Sequence, residues 1–337
     1  MSKLGQYELA GEFSNQNGGY CVWCFAKKDG EDYFIKQFLS PKYPANDTES
    51  SPQRIEKKKR RCQKFEEQKT AIYRSVNENS DGNAVRIDDF FRVESMYYIA
   101  MRRVDTLDWQ IEDICGQPEL LKRRLCAIIA HAVAGLHRGR VVHADLKHSN
   151  ILFTRTRRGA VTAKIIDFDS GFTEMDPPGE GEEIVGDPVY YSPEACISTM
   201  GQPMELTCKM DIFSLGVLFH QYFTGELPGF DSESYGSVGQ AAASGGAVEL
   251  SADLPTDVAE MIGQMLSRDY VDRPSADEVY QILMAPLCGP QSVGNSTTRT
   301  EDTNGRSFGI WNLPEFGPPP IEESTVSGNP FHLAGDL

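Results

Sequence analysis

Up to residue 104 the apolar positions fall mostly in short alternating runs, and beyond residue 118 they recur at helical spacing. "YCVWCFAKKDGEDYFIKQF" (20–38) is two apolar runs joined by the polar stretch "KKDGED", the pattern of a β-hairpin. A Pro-, Ser- and Asp-rich loop follows at 41–53, then a charged helix from Arg54 to about Val76. "AVRIDDFFRVESMYYIAMRRV" (84–104) returns to strand character. From Pro118, "PELLKRRLCAIIAHAVAGLHRG" has apolar residues three and four apart and stops at a glycine, which predicts a helix. Residues 211–230 predict a largely apolar helix, and 254–283 two more. Between them "GSVGQAAASGGA" (236–247) reads as a flexible insertion. A strand-rich front and a helix-rich back predict two lobes with a cleft between them.

After Leu287 the pattern ends. The Pro-, Gly- and Ser-rich stretch 286–337, including "PEFGPPPIEESTVSGNPFHL", has too little apolar surface to offset the cost of ordering it. It is expected to be disordered, or to dock on a partner through its isolated aromatic and proline residues.

Composition narrows the function classes. A chain of 337 residues, 40% apolar, can bury a substantial core. A formal charge of −16 argues against a general nucleic-acid binder, which needs concentrated Lys and Arg. No run of about 18 apolar residues predicts a membrane span, and "MSKLGQYELAGEF" lacks an apolar signal core, so a cytoplasmic protein is expected. The eight cysteines do not form a disulfide framework. Cys21 and Cys24 in "CVWC" have metal-ligand spacing, but on a strand i and i+3 face opposite ways, and no zinc is assigned.

Candidate chemistry sits in two runs, "VVHADLKHSNILF" (141–153) and "KIIDFDSGF" (164–172). Transfer of a phosphoryl group needs an orienting base, oxygen ligands for a hard cation and positive charge on the phosphates. Asp145 is placed to accept a hydroxyl proton, Lys147 to sit on the transferred group, and Asn150 and Asp167 to offer oxygens to the cation. Lys36, on the strand "YFIK", supplies charge from the far wall of the cleft.

These motifs, in this order, resemble those of a eukaryotic-like serine/threonine protein kinase over about residues 7–285, of the kind found as stand-alone bacterial signalling or defence kinases. "GDPVYYSPE" resembles the end of an activation segment, and "MDIFSLGVLFHQYFTGELP" the buried helix whose Asp211 holds the catalytic-loop backbone. "RDYVDRPSADEV" resembles the segment whose Arg273 pairs with Glu194. The resemblance implies an α+β bilobal fold, with a β-rich lobe at about 7–104 and a helical lobe at about 105–285. It implies ATP and Mg²⁺, with Asp145 as catalytic base, Lys147 on the phosphate, and Asn150 and Asp167 as metal ligands. Lys36 would hold the α- and β-phosphates, Leu152 would floor the adenine pocket, Met101 would guard its back, and the backbone from Arg102 to Val104 would form the hinge. His143 and Phe168 would pack the two catalytic strands together. On a helical wheel Cys62, Phe65, Ile72, Tyr73 and Val76 share an apolar arc; Glu66 lies at its edge and Glu67 opposite, so Glu66 is chosen as partner of Lys36.

Several positions depart from the pattern. The phosphate-covering loop "GEFSNQNGGYCV" has Gly11, Gly18 and Gly19 without the full spacing; Gly18 and Gly19 are expected to turn backbone N–H groups toward phosphate. Phe34 replaces a small residue and would crowd adenine. Asp169 replaces a glycine, and Asp187 a hydroxyl residue, from which position its carboxylate would accept from Lys147. Ala144 replaces an arginine that reads a regulatory phosphate. From Asp167 to Glu194 there are nine acidic residues and no lysine or arginine, so activity without phosphorylation of the segment is expected. The same charge predicts protein substrates with basic residues near the acceptor. The alternatives are a pseudokinase or nucleotide-binding scaffold recruiting partners through the tail, and a small-molecule kinase of related fold.

Overall fold

The alternation at 20–38 becomes the two longest strands of a six-stranded antiparallel sheet. In the computed structural model of the chain, residues 2–15, 21–45, 47, 50–179 and 184–287 are described, with the backbone of 300–301 and 307–308. The sheet contains β1 (Lys3–Leu4), β2 (Tyr7–Leu9), β3 (Cys21–Lys28), β4 (Glu31–Phe38), β5 (Asp89–Val93) and β6 (Met96–Arg102), in the order β1-β2-β3-β4-β6-β5. Asp29 and Gly30 join β3 to β4 with φ of 53° and 82°; two consecutive left-handed residues match the right-handed twist of a tight hairpin. The register sets Lys36 opposite Trp23 on one side and Ile99 on the other.

One helix, α1 (Pro52–Asn79), covers this sheet and is longer at both ends than its apolar pattern predicts. Pro52 supplies a preset first turn, and the Ser51 side chain accepts from the Arg54 amide. Phe65 packs edge-on against Phe38 at 5.2 Å between ring centroids and lies 5.2 Å from Tyr97. The buried residues of α1 are Cys62, Ile72, Tyr73 and Val76, all from the expected arc, and also Lys69.

The second lobe holds α2 (Ile111–Cys115), α3 (Glu119–Arg138), the strand pairs β7 (Val141–Val142) with β10 (Phe172–Thr173) and β8 (Ile151–Arg155) with β9 (Val161–Ile165), and α4 (Pro193–Thr199) to α8 (Ala276–Met284). Its axis is α5 (Lys209–Thr224), buried at every position from Met210 to Phe223, as a helix apolar on all sides must be. Gly225, left-handed at φ 83°, ends it. α7 (Thr256–Met265) and α8 are the two helices expected at 254–283.

Residues 236–247 correct the sequence reading. They contain α6 (Val238–Ser244), capped by Ser237 and closed by a left-handed Gly245, with Val238, Gly239, Ala241 and Ala242 buried. Its small residues serve close approach: a Cβ on Gly239 would fall 1.9 Å from the Tyr191 carbonyl oxygen. The two strand pairs of this lobe lay residues 143–150 beside 166–171, where Ile166 N–H donates to the Asn150 carbonyl at 3.0 Å. Among the described residues no helix is long and apolar enough to cross a membrane. The tail beyond Leu287, apart from the strand pair Thr300–Glu301 with Ser307–Phe308, lies outside them.

Candidate active site

A buried carboxylate fixes the loop that carries the candidate base. Asp211 accepts from the amides of His143 (2.8 Å) and Ala144 (3.0 Å) and lies 2.9 Å from Nε2 of His137. These bonds help hold Ala144 at φ 65°, and Asp167 in the neighbouring run sits at φ 64°. Left-handed non-glycine residues cost on the order of 1–3 kcal/mol each and persist where their surroundings over-determine them. His143 and Phe168 pack with ring centroids 5.3 Å apart, and Nε2 of His143 lies 2.9 Å from the Ile166 carbonyl, joining the two chemical runs.

The Asp145 carboxylate is held from three directions. Oδ2 accepts from Asn150 Nδ2 (2.9 Å), and Oδ1 accepts from the Asp187 amide (3.0 Å) and lies 3.2 Å from Lys147 Nζ. Lys147 also reaches the Asp187 carboxylate at 3.7 Å, the contact expected from sequence. Asn150 Nδ2 bonds the Asp145 carbonyl as well, at 2.7 Å, which leaves its amide oxygen to face other ligands.

Lys36 stands on the opposite wall, between Asp167 (2.9 Å) and Asp169 (2.6 Å). Burial opposes its charge, but Asp169 and then Asp167 more than offset this and raise its pKa. Burial likewise favours neutral Asp167, yet the charge and hydrogen bond of Lys36 hold its carboxyl below the usual range.

Glu66 does not meet Lys36. Its carboxylate accepts from Tyr97 Oη at 2.6 Å, in keeping with its place at the edge of the apolar arc. The position that faces the cleft is within the arc, at Lys69, whose ammonium donates to the backbone oxygen of Asp169. Burial pushes the Lys69 pKa down. Sequence reasoning missed Lys69 because it lies in a run of surface charges; its signal was a lysine inside an otherwise apolar arc.

The walls enclose a cavity of about 1190 Å³ whose lining includes Lys36, Asp145, Lys147, Asn150, Asp167 and Leu152. Val104 and Met101 line it too, as does Phe34, whose ring stacks on Trp23 at 5.5 Å. At the end of β6, where a hinge is expected, the Arg102 amide donates to Asp88 (3.1 Å) and the Arg103 amide to the Asp32 carbonyl (2.9 Å). Gly18 and Gly19 lie outside the described residues. Cys21 and Cys24 point to different partners, Asp169 at 3.6 Å and the Gly11 carbonyl at 3.3 Å.

Among the described residues no three His, Cys, Asp or Glu side chains form a metal cage. Mg²⁺ needs no such cage, since it binds one or two protein oxygens together with substrate phosphates and water. The Asp167 carboxylate and Asn150 amide oxygen fit it. Farther off, the expected pair is formed: Arg273 donates to both oxygens of Glu194, at 2.7 and 2.8 Å.

The sequence is similar to those of known proteins. The chain is 26% identical to the serine/threonine-protein kinase PSK2 of Saccharomyces cerevisiae over 221 residues, covering 62% of this chain and 18% of that protein. It is 26% identical to calcium-dependent protein kinase 7 of Arabidopsis thaliana, covering 70% and 40% of the two chains. With the serine/threonine-protein kinase pim-2 of Danio rerio it shares 30% identity, covering 64% and 65%. It thus spans less than two thirds of the length of each of these relatives. The family model described as "protein kinase domain" matches residues 20–283, most of the chain and both walls of the cavity, and the protein therefore belongs to the protein kinase domain family.

Proposed function

We propose that the protein is an ATP- and Mg²⁺-dependent serine/threonine protein kinase, with its kinase unit at about 7–285, that works without phosphorylation of its activation segment. One observation carries the reading: Asp145, Lys147, Asn150, Asp167 and Lys36 line a single cavity large enough for a nucleotide. Asp145, held by Asn150, Lys147 and the Asp187 amide, orients an acceptor hydroxyl and takes its proton. Lys147 swings between Asp145 and the transferred group, and Lys36 bears on the nonreacting phosphates. Mg²⁺, when bound, neutralises charge on the phosphate oxygens, with Asp167 and Asn150 to hold it. Leu152 and the backbone at Val104 receive the adenine, and Gly18 and Gly19 are assigned to cover the phosphates.

Contacts between unmodified groups support the regulatory part. Gln68 on α1 donates to Asp176 at 2.8 Å, Glu174 accepts from the Cys208 amide at 2.8 Å, and Tyr191 Oη donates to the Ile184 carbonyl at 2.8 Å. A phosphate on this acidic segment would meet repulsion. The same charge favours protein substrates with basic residues near the acceptor, and the tail beyond Leu287 is a candidate docking element. The described cysteines are free thiols, which suits a reducing, cytoplasmic setting.

The test is transfer from γ-labelled ATP to a basic peptide panel by wild type, Lys36→Ala and Asp145→Asn, before and after phosphatase treatment. Wild type should transfer phosphate, both variants should lose at least about a hundredfold, and phosphatase should change nothing. Binding of Mg·ATP without transfer would leave a scaffold. Loss of activity on dephosphorylation would sink the regulatory part.

A further inference from the structure

In kinases of this fold, a lysine on the third strand of the small lobe is oriented by a glutamate on the lobe's helix, and that ion pair must be in place for activity. In this chain the helix offers no carboxylate to Lys36. Glu66 is turned to Tyr97, and the cleft-facing position one turn on is Lys69, a cation. The carboxylate stands instead on the other partner, at Asp169, where the sequence pattern leads to a glycine.

We propose that the charges of this contact are exchanged: Asp169 is the positioning residue for Lys36, and Lys69 is the residue by which α1 grips the segment that carries Asp169. Four contacts converge there. Asp169 Oδ2 lies 2.6 Å from Lys36 Nζ, nearer than Asp167 at 2.9 Å. Cys21 Sγ approaches the same oxygen at 3.6 Å, and Tyr73 Oη donates to Oδ1 at 3.4 Å. Lys69 Nζ donates to the backbone oxygen. The Asp169 side chain is only 18% exposed, so its charge is held by these groups and little by water.

The arrangement divides the work of two carboxylates. Asp167 is the one assigned to the metal, and a lysine held by Asp167 alone would compete for it. Asp169 keeps Lys36 in place when Asp167 is engaged elsewhere. A glutamate added to the helix would be redundant, and a glycine at 169 would leave Lys36 without its second anchor. Lys69 cannot orient Lys36 directly, since like charges repel; it acts through the backbone of residue 169.

This inference rests on the kinase reading, and its test separates the two. Asp169→Asn and Asp169→Gly should each lower kcat/KM for ATP by roughly ten- to a hundredfold, the usual loss for a charge-assisted hydrogen bond. The double variant Lys69→Glu with Asp169→Gly returns a carboxylate to the helix and should recover at least about tenfold over Asp169→Gly alone. A merely structural role for Asp169 predicts no such rescue. Urea denaturation of Lys36→Met, Asp169→Asn and their double variant needs no nucleotide, and the double variant should shift the midpoint by less than the two single shifts combined. Additive midpoints, or full activity of Asp169→Asn, would overturn the proposal. A wild type that transfers no phosphate, with the midpoints still coupled, would sink the kinase reading and leave the pairing of Lys36 with Asp169 standing.

Discussion

Removing one member of the Arg273–Glu194 pair should cost far more than removing both. The two side chains are 0% and 1% exposed, so neither charge has water to fall back on. Glu194→Gln leaves the guanidinium with the carbonyls of Ser267 (2.9 Å), Lys209 (2.8 Å) and Arg268 (3.3 Å) and with the Phe213 ring at 5.1 Å. Those partners soften the loss, and about 3 kcal/mol is expected, the lower end for a broken buried pair. Arg273→Met strips Glu194 of both its guanidinium donors and should reach the upper end, about 5 kcal/mol. For a domain of this size each kcal/mol moves Tm by about 2–4 °C, so the two variants should melt roughly 6–12 and 10–20 °C below wild type. Arg273→Met with Glu194→Leu replaces charge by apolar volume and should be less destabilised than Arg273→Met alone. Urea denaturation followed by tryptophan fluorescence measures all three. Because Glu194 opens α4 directly after the activation segment, the single variants should also raise KM for peptide more than KM for ATP. A Glu194→Gln loss below about 1 kcal/mol, or a double variant as unstable as the sum of the singles, would refute the reasoning.

Two further outcomes follow from other contacts. Arg123 donates to both Asp257 oxygens at 2.7 Å, and these bonds hold the Asp257 carboxyl below the usual range. A depressed carboxylate stabilises fully above its unfolded pKa, about 3.9, and ceases to as pH falls through the folded value. Asp257→Asn should therefore cost about 1 kcal/mol at pH 7, the carboxylate being half exposed, and the gap from wild type should close below about pH 4 in acid-denaturation curves. Gly239→Ala would drive a methyl into the Tyr191 carbonyl, 1.9 Å from the ideal Cβ position. It should cost about 1–3 kcal/mol by calorimetry, and an unchanged melting curve would show that α6 moves freely, as its composition first suggested.

What could be read in advance was the placement of residues whose partners lie close in the chain. Asp145, Lys147 and Asn150 sit within six residues, and their spacing alone places them on one loop. The hairpin turn at Asp29-Gly30 was likewise local, needing only two residues tolerant of positive φ. Lys69 was not readable in this way, because the atom it binds lies 100 residues further on and belongs to the backbone. Glu66 was chosen for its charge type at a position the helix turns toward Tyr97. The segment 236–247 was misread for a different reason: glycine and alanine were taken as flexibility, whereas here they let α6 lie against Tyr191. Phe34 was expected to crowd the adenine pocket; its ring does line the cavity, stacked on Trp23.

The departures at Ala144 and Asp169 bear on each other. An arginine before the catalytic Asp captures a phosphate and so ties segment to loop only once that phosphate is present. Here the Ala144 methyl joins an apolar cluster with Val142, Phe172 and Ala195, contacts that need no phosphate. The link from segment to helix is supplied at Asp169 and Asp176 by Lys69 and Gln68, none of which needs modification. Each change alone would weaken a kinase: losing the arginine removes a tether, and an aspartate for glycine adds a buried charge. Together, on the proposed function, they exchange a tether that must be switched on for contacts present in the unmodified chain. Control, on this reading, must enter somewhere other than the activation segment, through access to the cleft or through whatever engages the tail.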